Sequence, residues 1–520
     1  MTGTVPTNLD ISDTKVTDWK YVAEGGATIV FAYIGPLHPF FTGTVLRLRK
    51  IKHHKSHPND PEKPTVSPSS FHGRGEEGIG AEGEGAGAQH AEDEEPDDPM
   101  IAFQEQVIGR LIPEQFLVNL RVVKLDREWL TGFADYHDGP GIEESGEEGG
   151  GGARPASRKN VDGIDVGRQK GVLADNLVGG EGMCTIEIKP KWGFLPSPTH
   201  LSDTTLPIKS QTCRTCMHNS LRLYKGHPAA SNFCPLDLYS GDESRARRAL
   251  EGLWDDWMRS EGKINNLRVF AEGRVVRPGV EDDMRKWAEN MIGWAGMGYG
   301  ASGRMDIWTM KEQFMNLLLP VILATPVFRL LATLQRTLDP LDREGYVALR
   351  QFVQSTTSTE ASASPTSPEY SALQATETEP DLNEWRSFVD AYLSAHDAMD
   401  LHSPTSSMES LRYYTLAYML SATFKDCSVV VRILPPSQSV SLPSSATLSP
   451  PLQSSNTTEA SEKTIGGNGG MERMVQVKVI DLDPKTVKKI TQWERLDEEI
   501  VEAYANVPVD ERKVCQDFIR

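Results

Sequence analysis

Apolar and polar positions along this chain change their rhythm once, and the change divides it. Near the start, short runs alternate as strands do: Trp19 to Ala23, Ala27 to Tyr33 and Thr42 to Arg49, joined by Gly-bearing turns. Helices at Met100 to Ile108 and near Pro113 to Asn119 are expected to follow, and the β-branched run Thr185 to Ile188 to close this small lobe. Beyond Lys191 the period becomes helical, at Glu243 to Ser260, Val280 to Ile292, Asp306 to Leu319, Pro326 to Leu338, Asp342 to Val353, Leu382 to Leu393 and Ser410 to Phe424. A strand is expected at Arg268 to Ala271. Two β-branched runs return late, Cys427 to Ile433 and Val475 to Ile480, and read as a hairpin with a long tip.

Composition narrows the folded part. Four stretches are too polar or too rich in Gly, Ser and Pro to bury a core: about 52–99, 137–157, 356–379 and 435–470. They are expected to be disordered surface insertions. The net charge of −19 argues against a general nucleic-acid binder, but the runs Glu76 to Asp98 and Glu143 to Glu148 hold much of that acidity, which leaves room for a basic pocket. Six cysteines and a polar start suggest no signal peptide, no disulfide framework and a reducing nuclear or cytoplasmic setting. Phe314 to Leu331 comes nearest to a membrane span but carries Pro320 and Pro326, and reads as a core helix.

Several constellations carry candidate chemistry. In Glu187-Ile-Lys-Pro-Lys-Trp-Gly-Phe-Leu-Pro, Pro190 favours extended backbone, so Lys189 and Lys191 would share a face suited to a polyanion. Two solvated lysines at a strand end would look the same. Gly25 and Gly26, followed by Thr28 and later by Arg47 on the third strand, form a turn able to fold over nucleotide phosphates, or a plain hairpin. Asp426 and Asp481 flank the late hairpin, in the layout of a catalytic base and a Mg²⁺ ligand, or of two strand-capping carboxylates. Asp483-Pro484 reads as the start of a helix on which Lys485, Lys489 and Trp493 make one stripe. Asn265, Asn266 and Arg268 enter a strand and suit either a phosphate or a turn. Cys213-Arg-Thr-Cys-Met-His, with Cys234 beyond it, has half the spacing of a zinc site and lacks a second pair; two buried thiols packing a helix are the alternative.

In order, these segments resemble one family, the inositol-pentakisphosphate 2-kinases. The resemblance rests on Glu24-Gly-Gly-Ala-Thr-Ile-Val, Val45-Leu-Arg-Leu-Arg-Lys, Glu187-Ile-Lys-Pro-Lys-Trp-Gly-Phe-Leu, Cys213-Arg-Thr-Cys-Met-His, Cys234-Pro-Leu-Asp-Leu-Tyr-Ser-Gly, Asn265-Asn-Leu-Arg-Val-Phe, Leu338-Asp-Pro-Leu-Asp, Ala422-Thr-Phe-Lys-Asp-Cys-Ser and Ile480-Asp-Leu-Asp-Pro-Lys. It implies a two-lobed, kinase-like α+β fold, with a small antiparallel N-terminal lobe over 1–188 and a larger, mainly helical lobe over 189–520. It also implies transfer of the γ-phosphoryl of ATP, with Mg²⁺, to the 2-hydroxyl of inositol pentakisphosphate. By motif position Asp426 would be the base and Asp481 the Mg²⁺ ligand. Gly25, Gly26, Thr28, Arg47 and Lys189 would face ATP phosphates, with Asp175 and Glu187 near the adenosine. Lys191, Arg222, Asn265, Asn266, Arg268, Lys485, Lys489 and Trp493 would line the inositol phosphate site, with an upstream arginine that is either Arg158 or Arg154. Plant members resembling this chain hold zinc in the C-terminal lobe, and Leu334 to Ser410 has no cysteine here, so no zinc is expected. The resemblance suggests a monomer whose partner is the small substrate, without nucleic acid or membrane. A different position specificity, a catalytically silent scaffold and a zinc-knuckle module are the other readings.

Overall fold

A computed structural model describes residues 9–53, 95–139, 154–180, 183–227, 232–295, 306–360, 377–396, 408–434, 463–465 and 473–517. It is a mixed α+β structure with two sheets. The first is built from β1 (Leu9–Asp10), β2 (Trp19–Glu24), β3 (Thr28–Tyr33), β4 (Thr44–Lys52), β5 (Leu120–Lys124), β6 (Asp162–Ile164) and β7 (Lys170–Asp175), in the order β1-β5-β7-β4-β3-β2 with β6 beside β4. The second holds β8 (Cys184–Ile188), β9 (Leu267–Ala271), β10 (Arg274–Val275), β11 (Ser428–Ile433), β12 (Lys463–Ile465) and β13 (Arg473–Ile480), in the order β10-β9-β8-β11-β13-β12.

Alternation along the strands decides which way the first sheet faces. Phe31, Leu46 and Leu48 point to one side, where they bury against Trp19, Phe41 and the helix Arg127–Asp138 through Leu130 and Phe133. The neighbours Ala32, Val45 and Ala174 point to the other, where Ile480 of the second sheet packs beside them. Lys478 of β13 donates to the Leu117 carbonyl at 2.7 Å, and Leu117 bridges Val479. Thus the face of β4 that carries Val45 and Arg47 is the one turned toward the end of β13.

The second sheet lies against a large helical core. Trp254 and Trp257 of the helix Glu243–Arg259 meet Trp287 and Phe314 with ring centroids 5.1–5.7 Å apart. Ile186, Val429 and Val431 join the same core. The helix Ile307–Ala324 continues past Leu319, through Pro320, because loss of one hydrogen bond is outweighed by burial of Val321 and Ile322. No single helix among the described residues is long and apolar enough to cross a membrane; only Ile307–Ala324 taken together with Val327–Ser355 passes, bent by 57°. That pair buries Phe314, Leu318 and Leu331 in the core.

Three expectations need correction. The strand at 184–188 does not close the N-terminal sheet: β8 pairs antiparallel with β9 and β11, so it belongs with the helical part. Its β-branched sequence suits either sheet, and only long-range pairing decides. The segment near 113–119 makes just a 3₁₀ turn at Glu114–Phe116, since Leu117 and Val118 leave it in extended conformation to reach the sheet. The inserted stretches are shorter than expected at their edges. Asp98 caps the helix Pro99–Gln106 and pairs with Arg49 at 2.7 Å, Lys170 pairs with Asp97 at 2.8 Å, and His137 and Arg154 are buried. The central parts, 54–94, 140–153, 361–376, 435–462 and 466–472, lie outside the described residues.

Candidate active site

Three strand ends of the second sheet meet at one edge. Ser428 of β11 pairs with Ile480 of β13, and Val429 pairs with Ile188 of β8. The residues just beyond those positions are therefore neighbours: Asp426 and Cys427 before β11, Asp481 after β13 and Lys189 after β8. Asp481 adopts a left-handed φ of 63°, which turns the chain sharply off the strand. The buried Ser428 hydroxyl donates to Glu187 Oε1 at 2.8 Å and lies 3.1 Å from Asp481 Oδ2. Lys189 Nζ sits 3.3 Å from the same Asp481 oxygen, and Lys485 Nζ donates to Asp426 Oδ2 at 2.8 Å. Each carboxylate thus has its own lysine.

Lys191 joins this cluster by a route that strand alternation does not describe. Its φ of 62° breaks the extended run after Pro190. The turn is held from beneath: the buried Gln335 amide donates to the Lys191 carbonyl at 3.1 Å and to the Phe424 carbonyl at 2.9 Å, and accepts from Gly193 N–H at 2.7 Å. Tyr239 donates to the same Lys191 carbonyl at 3.1 Å. Gln335 thereby ties the Lys191 loop to the end of the helix Met408–Asp426, two residues before Asp426. Lys425 anchors that end from inside by its 2.5 Å pair with buried Asp339 and by standing 4.0 Å over the Trp192 ring.

The local field is positive. Burial alone would raise the pKa of Asp426, but the hydrogen bond and charge of Lys485, with Lys189 and Lys191 beyond, hold it below the usual carboxylate range. Burial pulls Lys191 below the usual ammonium range; Asp426 opposes that, while Lys189 and Arg222 reinforce it. His218, one turn before Arg222 on the helix Arg214–Tyr224, is driven down to about 4 by burial and then by Arg214, Arg222, Lys191 and Lys225. It is neutral at physiological pH. The arrangement is an electropositive recess around two exposed carboxylates.

Other expected residues fall into groups. Asn266 is bound into this edge by its carbonyl, which accepts from Lys189 N–H at 2.9 Å. Arg268 is opposite Glu187 in register, 3.7 Å away and partly exposed, and Asn265 is exposed beside it. Arg47 stands on the face of β4 turned toward β13, and among the described residues its buried Nε has no acceptor. Asp175 ends β7 and accepts from Asn119 N–H at 3.3 Å. Gly25, Gly26 and Thr28 form the β2–β3 turn, closed by Gly25 N–H to the Thr28 carbonyl at 2.9 Å; a Cβ at either glycine would meet nothing within 4 Å. The turn therefore does not require glycine, and open space beside its backbone is what glycine leaves there. Arg158 sits near this turn, 3.6 Å from Glu24, and not among the Lys189 and Lys485 side chains. The buried Arg154 is consumed by Glu24, Asp138 and Asp162.

The basic helical stripe needs correction. Asp483 caps no helix: the chain runs irregularly from 481 to 486, makes a 3₁₀ turn at Val487–Lys489 and becomes α-helical only over Ile490–Ala505. Burial of Leu482 and the 3.1 Å bond from Thr423 to the Asp483 carbonyl hold that stretch against the neighbouring helix. Lys485 consequently reaches Asp426 from a loop, Lys489 is exposed at the helix start, and Trp493 packs edge-on against Tyr418 at 5.9 Å.

Two contributors were not foreseen. Gln335 gave no signal, since an amide within an amphipathic helical pattern reads as surface. Cys515 is the other: its sulfur joins those of Cys213, Cys216 and Cys234, all within 4.8 Å of one another and all buried. The partner that the Cys213-x-x-Cys216 spacing lacked is supplied by the last described residues of the chain.

Comparison with known proteins places relatives along nearly the whole chain. A family model described as inositol-pentakisphosphate 2-kinase matches residues 21–499. An inositol-pentakisphosphate 2-kinase of Cryptococcus neoformans is 30% identical over 497 residues, covering 94% of each chain. One from Oryza sativa is 25% identical over 508 residues, 94% of this chain and 93% of the relative, and one from Danio rerio is 39% identical over 92 residues, 18% and 17%. With the match running over every strand end that forms the recess, the chain belongs to the inositol-pentakisphosphate 2-kinase family.

Proposed function

We propose that this protein transfers the γ-phosphoryl group of ATP to the 2-hydroxyl of inositol 1,3,4,5,6-pentakisphosphate, giving the hexakisphosphate. The carrying observation is the pairing of Asp426 with Lys485 and of Asp481 with Lys189 at a single sheet edge. Phosphoryl transfer needs positioning and charge neutralisation more than covalent help, and this edge supplies both. Asp426 is ionised at neutral pH and takes the hydroxyl proton. Lys191, Arg222, Arg268, Lys485 and Lys489 offer the convergent cations that a substrate with five phosphates demands. Lys485 has two roles on this reading. Without substrate it neutralises Asp426; a phosphate draws it away and leaves the base free to accept a proton.

The two sheets are read as the cores of two lobes, with their boundary between Asp175 and Cys184 so that β8 goes with the second. ATP phosphates then lie between the β2–β3 turn and the edge of the second sheet, within reach of Arg47 and Lys189. The unpartnered Arg47 guanidinium nitrogen supports an anion there. Asp481, half exposed and a hard oxygen donor, fits Mg²⁺, which when bound would neutralise charge on the transferring phosphates. Lys189 and Ser428 hold that carboxylate in place. The polar network beneath Lys191 keeps the substrate cations in register.

The test is transfer of labelled γ-phosphate from Mg·ATP to inositol pentakisphosphate lacking the 2-phosphate, run beside Asp426→Ala. Conversion by the wild type with a loss of about 10²–10⁴ in kcat for the variant, substrate binding retained, is the expected result. Binding of both ligands without conversion would select a silent scaffold, and labelling at another hydroxyl a different specificity on the same site.

A further inference from the structure

We propose that Ser428 is a specificity-determining residue for the divalent cation. Together with Lys189 it occupies one oxygen of Asp481, so that this carboxylate serves as a one-oxygen ligand, which suits Mg²⁺ and disfavours Ca²⁺. The inference rests on the reading of Asp481 as the metal-holding carboxylate and adds to it a reason for the choice of ion.

The two oxygens of Asp481 are placed unequally. Oδ2 lies 3.1 Å from the Ser428 hydroxyl oxygen and 3.3 Å from Lys189 Nζ. Oδ1 has no such contact among the described residues, and the side chain is 51% exposed. The carboxylate is also restrained from turning. Ile480 before it is paired with Ser428 across β11 and β13, and Leu482 after it is buried. Asp481 joins these two anchors through its left-handed φ of 63°. Any rotation that brought both oxygens toward one cation would strip Oδ2 of both its contacts.

Of those contacts, Ser428 is the permanent one. Lys189 is assigned to the ATP phosphates as well, so its hold on Oδ2 can lapse when nucleotide arrives. Ser428 has no such freedom. It is 0% exposed, and its hydroxyl is tied to Glu187 Oε1 at 2.8 Å. Glu187 is buried in turn, opposite Val430 in register, with Arg268 3.7 Å from its other oxygen. A hydroxyl carries one proton, and here two carboxylates face it. The shorter bond gives the proton to Glu187; whichever acceptor takes it, the Ser428 oxygen fills the approach to Oδ2 from the buried side.

Ion size and coordination number turn this into discrimination. Ca²⁺ gathers about six to eight oxygens and often takes both oxygens of a carboxylate, whereas Mg²⁺ keeps several waters and is held through single carboxylate oxygens and phosphates. Closing Oδ2 therefore removes a ligand from Ca²⁺ and none from Mg²⁺.

Calorimetry of the full-length protein with Mg·ADP and with Ca·ADP, without inositol phosphate, is the test. ADP has no γ-phosphoryl group to transfer, so the readout is binding alone. Wild type should bind Mg·ADP more tightly than Ca·ADP. In Ser428→Ala, Mg·ADP should weaken by about 10-fold, the low end for loss of a group that orients a metal ligand, while Ca·ADP holds or gains, so the preference falls by at least that factor. Ser428→Thr keeps the hydroxyl on a residue suited to a strand and should restore most of the preference. A merely structural role for Ser428 would weaken both complexes alike. Asp481→Asn, measured beside them, should weaken both. If it weakens neither, the metal-holding role of Asp481 fails and the inference falls with it. If it weakens both while Ser428→Ala leaves the ratio unchanged, Asp481 keeps its role and only the inference about Ser428 is overturned. A wild type that binds the two complexes equally also overturns it, whether or not Ser428→Ala folds.

Discussion

Lys209 is a buried residue whose loss should carry a pH-dependent electrostatic cost. It is 2% exposed and its ammonium meets Asp342, Glu344 at 3.1 Å and Asp497 at 3.2 Å. Asp497 retains Arg214 at 3.1 Å and Arg343 at 3.2 Å when Lys209 is removed. Asp342 does not: it is buried, and burial already raises its carboxyl to about 6 even with Lys209 beside it. In Lys209→Met, Asp342 can stay folded only by taking up a proton. Its folded pKa is raised, so the penalty is absent below the unfolded value of 3.8 and grows as pH rises. At about 1.36 kcal/mol per pH unit above that value, neutralisation costs the variant about 4 kcal/mol at pH 7. The wild type, with its carboxyl already at about 6, carries about 3 kcal/mol of this, so the variant should lose about 1 kcal/mol at pH 7 from this cause and almost nothing at pH 5. Urea denaturation of wild type and variant at both pH values, following tryptophan emission from the helical core, measures the difference. A loss of the same size at pH 5 and pH 7 would refute the assignment of the penalty to Asp342 and leave lost packing as its cause.

Removing Lys485 should act on both proposed roles: Lys485→Ala should raise the KM for inositol pentakisphosphate about 10-fold or more and shift the acid limb of the kcat/KM profile to higher pH, because the group holding Asp426 down is gone. An acid limb that does not move would separate Asp426 from the base. Gln335→Leu leaves Gly193 N–H unpaired, while the Cys427 thiol still reaches the Phe424 carbonyl at 3.1 Å and Tyr239 still serves Lys191, so a loss of about 1–3 kcal/mol of stability is expected, with a fall in kcat/KM from the loosened Lys191 loop. Unchanged thermal unfolding would show that water takes over those bonds. Arg47→Met removes the cation with an unpartnered nitrogen and should weaken Mg·ATP binding with little effect on binding of the inositol phosphate; calorimetry with each ligand alone distinguishes the two.

What the sequence made legible was local. Asp426 and Asp481 could be placed because each ends a β-branched run, and two antiparallel runs bring such ends together whatever surrounds them. Lys189 was legible for the same reason. Lys191 joins the cluster through a left-handed turn held by Gln335 and Tyr239, contacts across 144 and 48 residues that no spacing rule anticipates. The sheet to which β8 belongs, the irregular stretch before Lys489 and the position of Cys515 depend likewise on partners far along the chain. For Lys485 the residue was identified but its local structure was not: Pro484 permits a helix start, but burial of Leu482 and the bond from Thr423 to the Asp483 carbonyl hold the stretch in an irregular path.

The site and the buried cluster of Cys213, Cys216, Cys234 and Cys515 are two ends of one mechanical arrangement. The helix Arg214–Tyr224 begins at the sulfurs, bonds through Arg214 to Asp497 on the helix Ile490–Ala505, and brings Arg222 into the field around Lys191. The helix Ile490–Ala505 begins at Lys489 and carries Trp493 against Tyr418. A polyanion gathered by cations from separate segments binds tightly only if those segments are already in place, since ordering each one on binding would consume the electrostatic gain. Asp497 and the cysteine cluster both restrain the helix of Arg222, one at its side and the other at its start. This explains why so much buried charge and so many thiols lie behind a surface whose own residues are few and exposed.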